Sequence, residues 1–178
     1  MPEKNPSFPE SIVQFPQIAT EIEEMAKTDQ DMRERNLKEA DSWDSSVDAK
    51  HTKRMKEIVA EIGWLTASRV GEQSAHNAWL LVQHANRHVD FQEQCLALMK
   101  RESDGEVALR DIAMLEDRVR VNSDQPQLYG TQFQQIDGKF VPRPIEDEEN
   151  VNRRRQQMGL ETLEENIVGM HKKYQTPR

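Results

Sequence analysis

The helical period of the apolar residues constrains the fold of this chain more than any other feature of its sequence. Ile22, Met25 and Met32 recur at spacings that place them on one face of a helix. A second apolar stripe ends at Gly63, a residue typical of the position just after a helix. A third segment, over residues 68–88, carries apolar residues on every side. We therefore predict that this third helix is central and buried.

The second half of the chain adds a different signal. Asp137-Gly138 lies between two short runs of β-type residues, which predicts a β-hairpin near residues 129–142. A serine, threonine or aspartate followed three residues later by a glutamate is typical of a helix start. This pattern predicts helix starts at 90–93 and at 162–165.

The domain organisation follows from these elements. An extended arm is predicted for residues 1–15, a single helical domain for 16–174 and a short tail for 175–178. Within the domain, a helix over 146–158 combines acidic residues with the basic run 153–155, which favours a solvated helix with complementary charge. The predicted fold is mostly α, a single helical-bundle-like domain of six to seven helices with one β-hairpin.

Charge and cysteine content limit the classes of partner and compartment. The 32 acidic and 24 basic residues give a net charge of -8, which argues against nucleic acid or an anionic membrane as a partner. Cys95 is the single cysteine, so no internal disulfide forms, and its place on an apolar stripe favours packing over nucleophilic chemistry. With no signal peptide or membrane span in the sequence, we predict a cytoplasmic protein; its oligomeric state stays open.

Polar residues at core-facing positions are the main functional signal. Asp29 lies on the first apolar stripe with Arg33 one turn further on, so a paired carboxylate is expected, with either a structural or a functional role. His51 lies on the second stripe, where a satisfied core histidine is the alternative to a functional one. His84 lies on the third helix, with His88 predicted one turn further along the same face.

An imidazole at position 84 suits acid–base chemistry, because histidine titrates near neutral pH. The spacing of His84 and His88 could also hold a metal, with Asp29, His51 or Asp117 as further ligands. No pattern supplies the third and fourth ligands, so we predict no metal or other cofactor. Asp117 lies opposite the apolar stripe of its own helix, and the period alone predicts that it faces solvent.

Several segments together resemble a bacterial family, the domain of unknown function 6624, over about residues 20 to 170. The segments are Gly63-Trp64-Leu65-Thr66, Ala78-Trp79-Leu80-Leu81-Val82-Gln83-His84-Ala85, Asp117-Arg118-Val119 and Gln127-Leu128-Tyr129-Gly130-Thr131-Gln132. The resemblance implies no established activity. It does imply a set of signature polar positions, namely Asp29, Gln30, Arg33, His84, Gln92, Asp117, Arg118, Tyr129, Thr131 and Gln132. The sequence departs from the family pattern at Leu65, where proline is usual, and at Asn86, where aspartate is usual.

Three functions remain open on this evidence. The first is an enzyme acting on a small polar, anionic molecule, with His84 as acid or base and Asp29 or Asp117 orienting it; its reaction type is open. The remaining signature residues would then bind the substrate: Gln30, Arg33, Gln92, Arg118, Tyr129, Thr131 and Gln132. The second is a non-catalytic module that binds a small molecule in the same pocket. The third is a protein-interaction module whose buried polar network only fixes its packing.

Overall fold

The computed structural model describes residues 13–39 and 42–174, and within them the chain is mostly helical. Seven of the eight helices there have seven or more residues, and the strands form one antiparallel hairpin. The helices are α1 (Pro16–Lys38), α2 (Ser45–Ile62), α3 (Ala67–Val70), α4 (Glu72–His84), α5 (Val89–Met99), α6 (Leu109–Asn122), α7 (Val151–Gln157) and α8 (Leu163–Tyr174). The strands are β1 (Phe133–Ile136) and β2 (Lys139–Pro142). The predicted fold class is therefore confirmed.

Several element boundaries fall where the sequence predicts them. α2 ends directly before Gly63, and the turn of the hairpin is Asp137-Gly138. At the start of α8 the backbone N–H and the hydroxyl of Thr162 both donate to the Glu165 carboxylate, each at 2.9 Å. In return, the backbone N–H of Glu165 donates to Thr162 Oγ1 at 3.3 Å. The capping box predicted at 162–165 is thus confirmed.

The predicted third helix over 68–88 is wrong in two places. Gly71 has φ +85°, a left-handed conformation that other residues rarely adopt, and it separates α3 from α4. The helix also ends at His84, after which the chain turns, with the His88 N–H donating to the Ala85 carbonyl at 2.9 Å. His84 and His88 are therefore not neighbours on one helical face.

Two other predicted helix starts are also displaced. α5 begins at Val89, so Asp90 lies in its first turn and does not cap it. In the segment 146–158, Asp147 has φ +49°, and a 3-10 turn, Glu148–Asn150, precedes α7. The helix therefore begins later than its acidic composition suggests, because the left-handed residue interrupts the backbone.

α4 forms the centre of the bundle, as predicted. It packs against α1, α2, α5 and α6. Its run of apolar residues is buried at Trp79, Leu81 and Val82, while Leu80 is half-buried against the same core. Burying a leucine or valine side chain stabilises a fold by about 2 kcal/mol. The buried side chains of α4 therefore stabilise its packing against each of these four helices. Its C-terminal residue, His84, is consequently held at a fixed place at one end of the bundle.

Little of the two predicted terminal segments is described. Residues 1–12 of the predicted arm and the tail 175–178 lie outside the described residues. At the end of the arm, the Phe15 N–H donates to the Arg69 carbonyl at 2.8 Å, which joins it to α3. Among the described helices, none combines the length and apolar character needed to cross a membrane.

Candidate functional site

His84 contacts a buried carboxylate from a different helix. Its Nδ1 lies 2.8 Å from Oδ2 of Asp29, which is on α1 and is only 1% exposed. Arg33, one turn further along α1, donates from Nε and Nη2 to both oxygens of Asp29 at 3.0 to 3.2 Å. A second Arg33 contact, 3.0 Å from Nη2 to Asp48 Oδ1, joins α2 to the cluster. The structure thus brings together Asp29, Arg33 and His84: the pairing of Asp29 with Arg33 is the one that the sequence predicts, and of the two aspartates proposed to orient His84 it is Asp29 that contacts the ring.

The charge of Asp29 is fixed by these neighbours. Burial opposes its ionisation, but hydrogen bonds from His84 and Arg33 outweigh that effect and lower its pKa to about 2. The side chain of Gln30 adds a further hydrogen bond to Asp29 Oδ2 at 3.0 Å. Asp29 is therefore an ionised carboxylate at any pH near neutrality, and it orients the His84 ring through a charge-assisted hydrogen bond.

The other nitrogen of His84 is not used within the described part of the protein. His84 keeps 18% of its side chain exposed and lines a cleft of about 330 Å³ between α2 and the turn after α4. Asp48 and Trp43 line the same cleft, and the Arg33 guanidinium lies 5.0 Å from the centre of the Trp43 ring. An imidazole that has one nitrogen on a carboxylate and lines a cleft is arranged as a general acid or base could be.

Arg118 is a half-buried arginine on α6 for which the described residues offer no counter-charge. Its Nε is enclosed and has no hydrogen-bond partner there, and no ion pair joins its guanidinium to a described carboxylate. Burial first, then the charges of Arg33 and Arg143, lowers its pKa to about 10. Arg33 is already paired with Asp29 and Asp48, so the unpaired charge at this place is that of Arg118, and an anion would balance it.

Asp117 has a different role from the one its helical period suggests. It is fully buried, because the segment 127–132 covers the outer face of α6. Its carboxylate accepts hydrogen bonds from the backbone N–H groups of Leu128, Tyr129 and Thr131 and from the Thr131 hydroxyl, at 2.7 to 3.3 Å. The prediction that Asp117 faces solvent is wrong, because a later segment of the chain covers that face.

The segment around Asp117 is closed by its own hydrogen bonds. The Gln127 amide donates to the Gln132 carbonyl at 3.0 Å and accepts from the Gln132 backbone N–H at 2.8 Å. The Gln132 side chain donates to Thr131 Oγ1 at 2.9 Å. Gly130 has φ +70°, and a Cβ there would lie within 3.0 Å of Leu163 and Ile145, so the loop requires glycine.

Two more signature residues belong to the structural network. The Gln92 side chain is fully buried, donates to the Val82 and Gln83 carbonyls and accepts from Asn122 at 2.9 Å. The Tyr129 hydroxyl lies 3.4 Å from Glu116 Oε2, and burial together with that carboxylate raises the pKa of Tyr129 to about 12.

Sequence reasoning also missed one structural residue near Tyr129. Arg155 lies in the basic run that we predict to be solvated, yet it is 1% exposed and donates to the Tyr129 carbonyl at 2.6 Å. The solvated-helix prediction is therefore wrong for Arg155, which anchors α7 to the loop. The period of α7 carries a signal for it, since Arg155 lies one turn beyond the buried Val151.

The structure divides the residues of the predicted metal alternative. Asp117 is enclosed by the loop, whereas Asp29 pairs with His84. Among the described residues, no group of three or more histidine, cysteine or carboxylate side chains has the proximity that a metal ion requires. His51 lies near Asp29 and Asp48, and burial lowers its pKa. Its Nδ1 is enclosed without a hydrogen-bond partner in the described structure.

The fold and this cluster define a class of protein, a helical bundle with a histidine hydrogen-bonded to a buried carboxylate at a cleft. The chain belongs to a particular family, the family of unknown function DUF6624, whose family model matches residues 16–176. The family resemblance in the sequence is thereby confirmed. Neither a curated protein nor a solved structure matches the chain.

Proposed function

We propose that this protein is an enzyme that acts on a small, anionic, polar molecule, with His84 as its acid or base. The observation that carries the proposal is the 2.8 Å contact between His84 Nδ1 and Asp29 Oδ2 at the edge of an open cleft. The carboxylate holds the hydrogen on Nδ1, so the lone pair of Nε2 is directed away from Asp29 and can take a proton from a substrate.

Asp29 and Arg33 make this proton transfer easier. When His84 takes up a proton, its imidazolium charge lies against an ionised carboxylate that Arg33 grips with two nitrogens. The ionised carboxylate stabilises the charged imidazole. Because Arg33 already holds the carboxylate in place, no rearrangement is needed when His84 takes up the proton. Asp29 is then a positioning residue for His84. This positioning role explains why α1 carries a charged group on its core-facing stripe.

Arg118 supports the anionic character of the substrate. A half-buried guanidinium with an unsatisfied Nε, near two other arginines, is destabilising unless an anion accepts its hydrogen bonds and balances its charge. Carboxylate and phosphate groups match the planar donors of arginine better than neutral groups do. Asp117, Gln92, Thr131 and Gln132 have protein partners, so we assign them to holding this architecture and not to contacting the substrate.

A second candidate function uses the same groups without turnover. In a non-catalytic binding module, Arg118 would hold the anion and His84 would only donate a hydrogen bond to it. The unsatisfied Arg118 supports this function as much as the first, because it is an argument for a bound anion and not for a reaction. The two functions predict different results when His84 is replaced: an enzyme loses turnover, whereas a binding module has no turnover to lose.

Ligand binding is tested first, with thermal denaturation in phosphate, citrate and chloride at matched ionic strength. We expect phosphate or citrate to raise the Tm of the natural protein above that in chloride. Arg118→Met should reduce this difference to the general stabilisation that excluded anions give any fold, while Arg35→Met keeps it in full. The unliganded fold should stay at least as stable, since methionine fills a similar volume without charge. Arg35→Met, at an exposed position on α1, is the matched control. Equal Tm values in all three anions would contradict the anion site.

Catalysis is tested with molecules that remain bound through purification and are identified by mass spectrometry. Incubated with such a molecule, the natural protein should convert it, while His84→Gln should bind it and leave it unchanged. If neither protein alters the molecule, the binding module is the better function. If His84→Gln converts it at the natural rate, His84 is not the acid or base.

A further inference from the structure

A second histidine–aspartate pair lies on a different side of α4 from His84. His76, on α4, places Nδ1 2.9 Å from Oδ2 of Asp111, on α6. Asp111 is 3% exposed, whereas the His76 side chain is 46% exposed. The two residues line a separate cleft of about 370 Å³, together with Trp79, Glu72 and other residues of α4 and the loop before α6. This volume is at the lower end of the range for small-molecule sites.

Two buried polar atoms in this cleft lack partners in the described structure. They are Oδ1 of Asp111, which requires a hydrogen-bond donor, and Nε1 of Trp79, which requires an acceptor. Buried polar atoms of native proteins are almost always hydrogen-bonded, so two in one cleft indicate a missing partner with both kinds of group. The His76 ring is stacked on Trp79, with 4.8 Å between ring centres.

The charged residues that line the cleft indicate that the missing partner is positively charged. Three carboxylates, Glu72, Glu106 and Asp111, line it against one guanidinium, Arg110. Burial raises the pKa of Asp111, and the hydrogen bond from His76 only partly offsets this, so a further positive neighbour would stabilise its charge. The indole of Trp79 adds an aromatic surface, which attracts organic cations.

We propose that this cleft is a second ligand site, which binds a small organic ammonium ion on Asp111 and Trp79. The ammonium group donates to Asp111 Oδ1, and an acceptor atom of the ligand or a water that it carries receives the Trp79 N–H. The exposed His76 side chain moves off Trp79 to admit the ligand. The preference for a cation separates this site from the anion site that we propose near His84 and Arg118.

The test uses benzylamine, benzyl alcohol and benzoate, which place a positive, neutral or negative group on the same ring. Binding is followed by the NMR signal of the Trp79 indole N–H, and the Trp43 indole, in the His84 cleft, is the internal control. We expect benzylamine to shift the Trp79 signal and to bind about tenfold more tightly than benzyl alcohol. Benzoate should give no shift, and Trp43 should not respond to benzylamine.

One variant assigns the charge preference to Asp111. Asp111→Asn keeps an oxygen for His76 but removes the charge, and it should weaken benzylamine binding about tenfold. Glu34→Gln, at an exposed position on α1, removes one charge elsewhere and should leave binding unchanged. The proposal is overturned if the three probes act alike or give no shift in the natural protein, or if Asp111→Asn binds benzylamine at the natural affinity. The probe comparison does not depend on whether the variant folds.

Discussion

Asp117→Asn is the substitution for which the structure gives the clearest magnitude. The carboxylate accepts from four donors, three backbone N–H groups and the Thr131 hydroxyl. An amide offers one oxygen and one NH2 group. In the better of its two orientations, the amide oxygen keeps the hydrogen bonds from the backbone N–H groups of Leu128 and Tyr129. The NH2 group then faces the backbone N–H of Thr131, which donates to Oδ2 at 2.9 Å in the natural protein.

The expected cost follows from these contacts. One buried N–H without an acceptor costs about 1 to 3 kcal/mol, and two hydrogen bonds to a charged group become weaker neutral ones at about 1 kcal/mol each. Removing a buried charge offsets part of this sum, since burial alone raises the pKa of Asp117. We expect Asp117→Asn to lower the free energy of unfolding by about 3 kcal/mol, a large share of the 5 to 15 kcal/mol typical of a domain.

Urea denaturation monitored by circular dichroism measures this change. Asp90→Asn, at an exposed position in the first turn of α5, is the control and should change the free energy by less than about 0.5 kcal/mol. Thr131→Val removes the hydroxyl donor to Asp117 and the acceptor of the Gln132 side chain. In combination with Asp117→Asn the two changes should be non-additive by at least about 0.5 kcal/mol. A loss below about 1 kcal/mol for Asp117→Asn would refute the conclusion that this carboxylate holds the loop.

Two further predictions concern other buried groups. The depressed pKa of Asp29, about 2 against 3.8, means that its ionised form stabilises the fold above pH 4 and that this contribution is lost as the pH falls from about 4 to about 2. We expect a loss of about 2 kcal/mol across this window, measured by denaturation at each pH; an equal pH dependence in Asp29→Asn would contradict this assignment. Burial raises the pKa of the Cys95 thiol to about 12, against 9.0 for a free thiol. Native protein should therefore react with a thiol reagent roughly a thousandfold more slowly than protein unfolded in urea, and similar rates would show that Cys95 is accessible.

The part of the site that a local period encodes could be predicted from the sequence. Asp29 is spaced from Ile22 and Met25 as a core residue would be, and its pairing with Arg33 one turn away is an expected consequence of burial. The same reasoning found the central helix. It failed at Gly71, because an apolar run does not show that one backbone position requires a left-handed conformation.

The rest of the site depends on contacts between distant segments. Asp117 faces away from its own stripe and is buried by residues ten or more positions later, which no helical period contains. Only the family resemblance marked it as significant. Neither the helical period nor the family resemblance points to His76, because it is an exposed position on α4 and its partner lies 35 residues away. Its pairing with Asp111 depends on how α4 and α6 pack, which is a property of the folded chain.

Asp117 and Arg118 are neighbours on α6, and the contrast between them bears most on function. Every oxygen lone pair that Asp117 offers is matched by a donor of the loop, so its burial is explained by stability alone. The Nε of Arg118 is enclosed without an acceptor, and a helix selected only for stability would carry an apolar residue there. The closed network around Asp117 fixes α6 without a ligand, and it thereby also fixes the helix that carries Arg118, to which we assign the proposed anion. The unsatisfied group is therefore stronger evidence for a ligand than the number of buried polar residues.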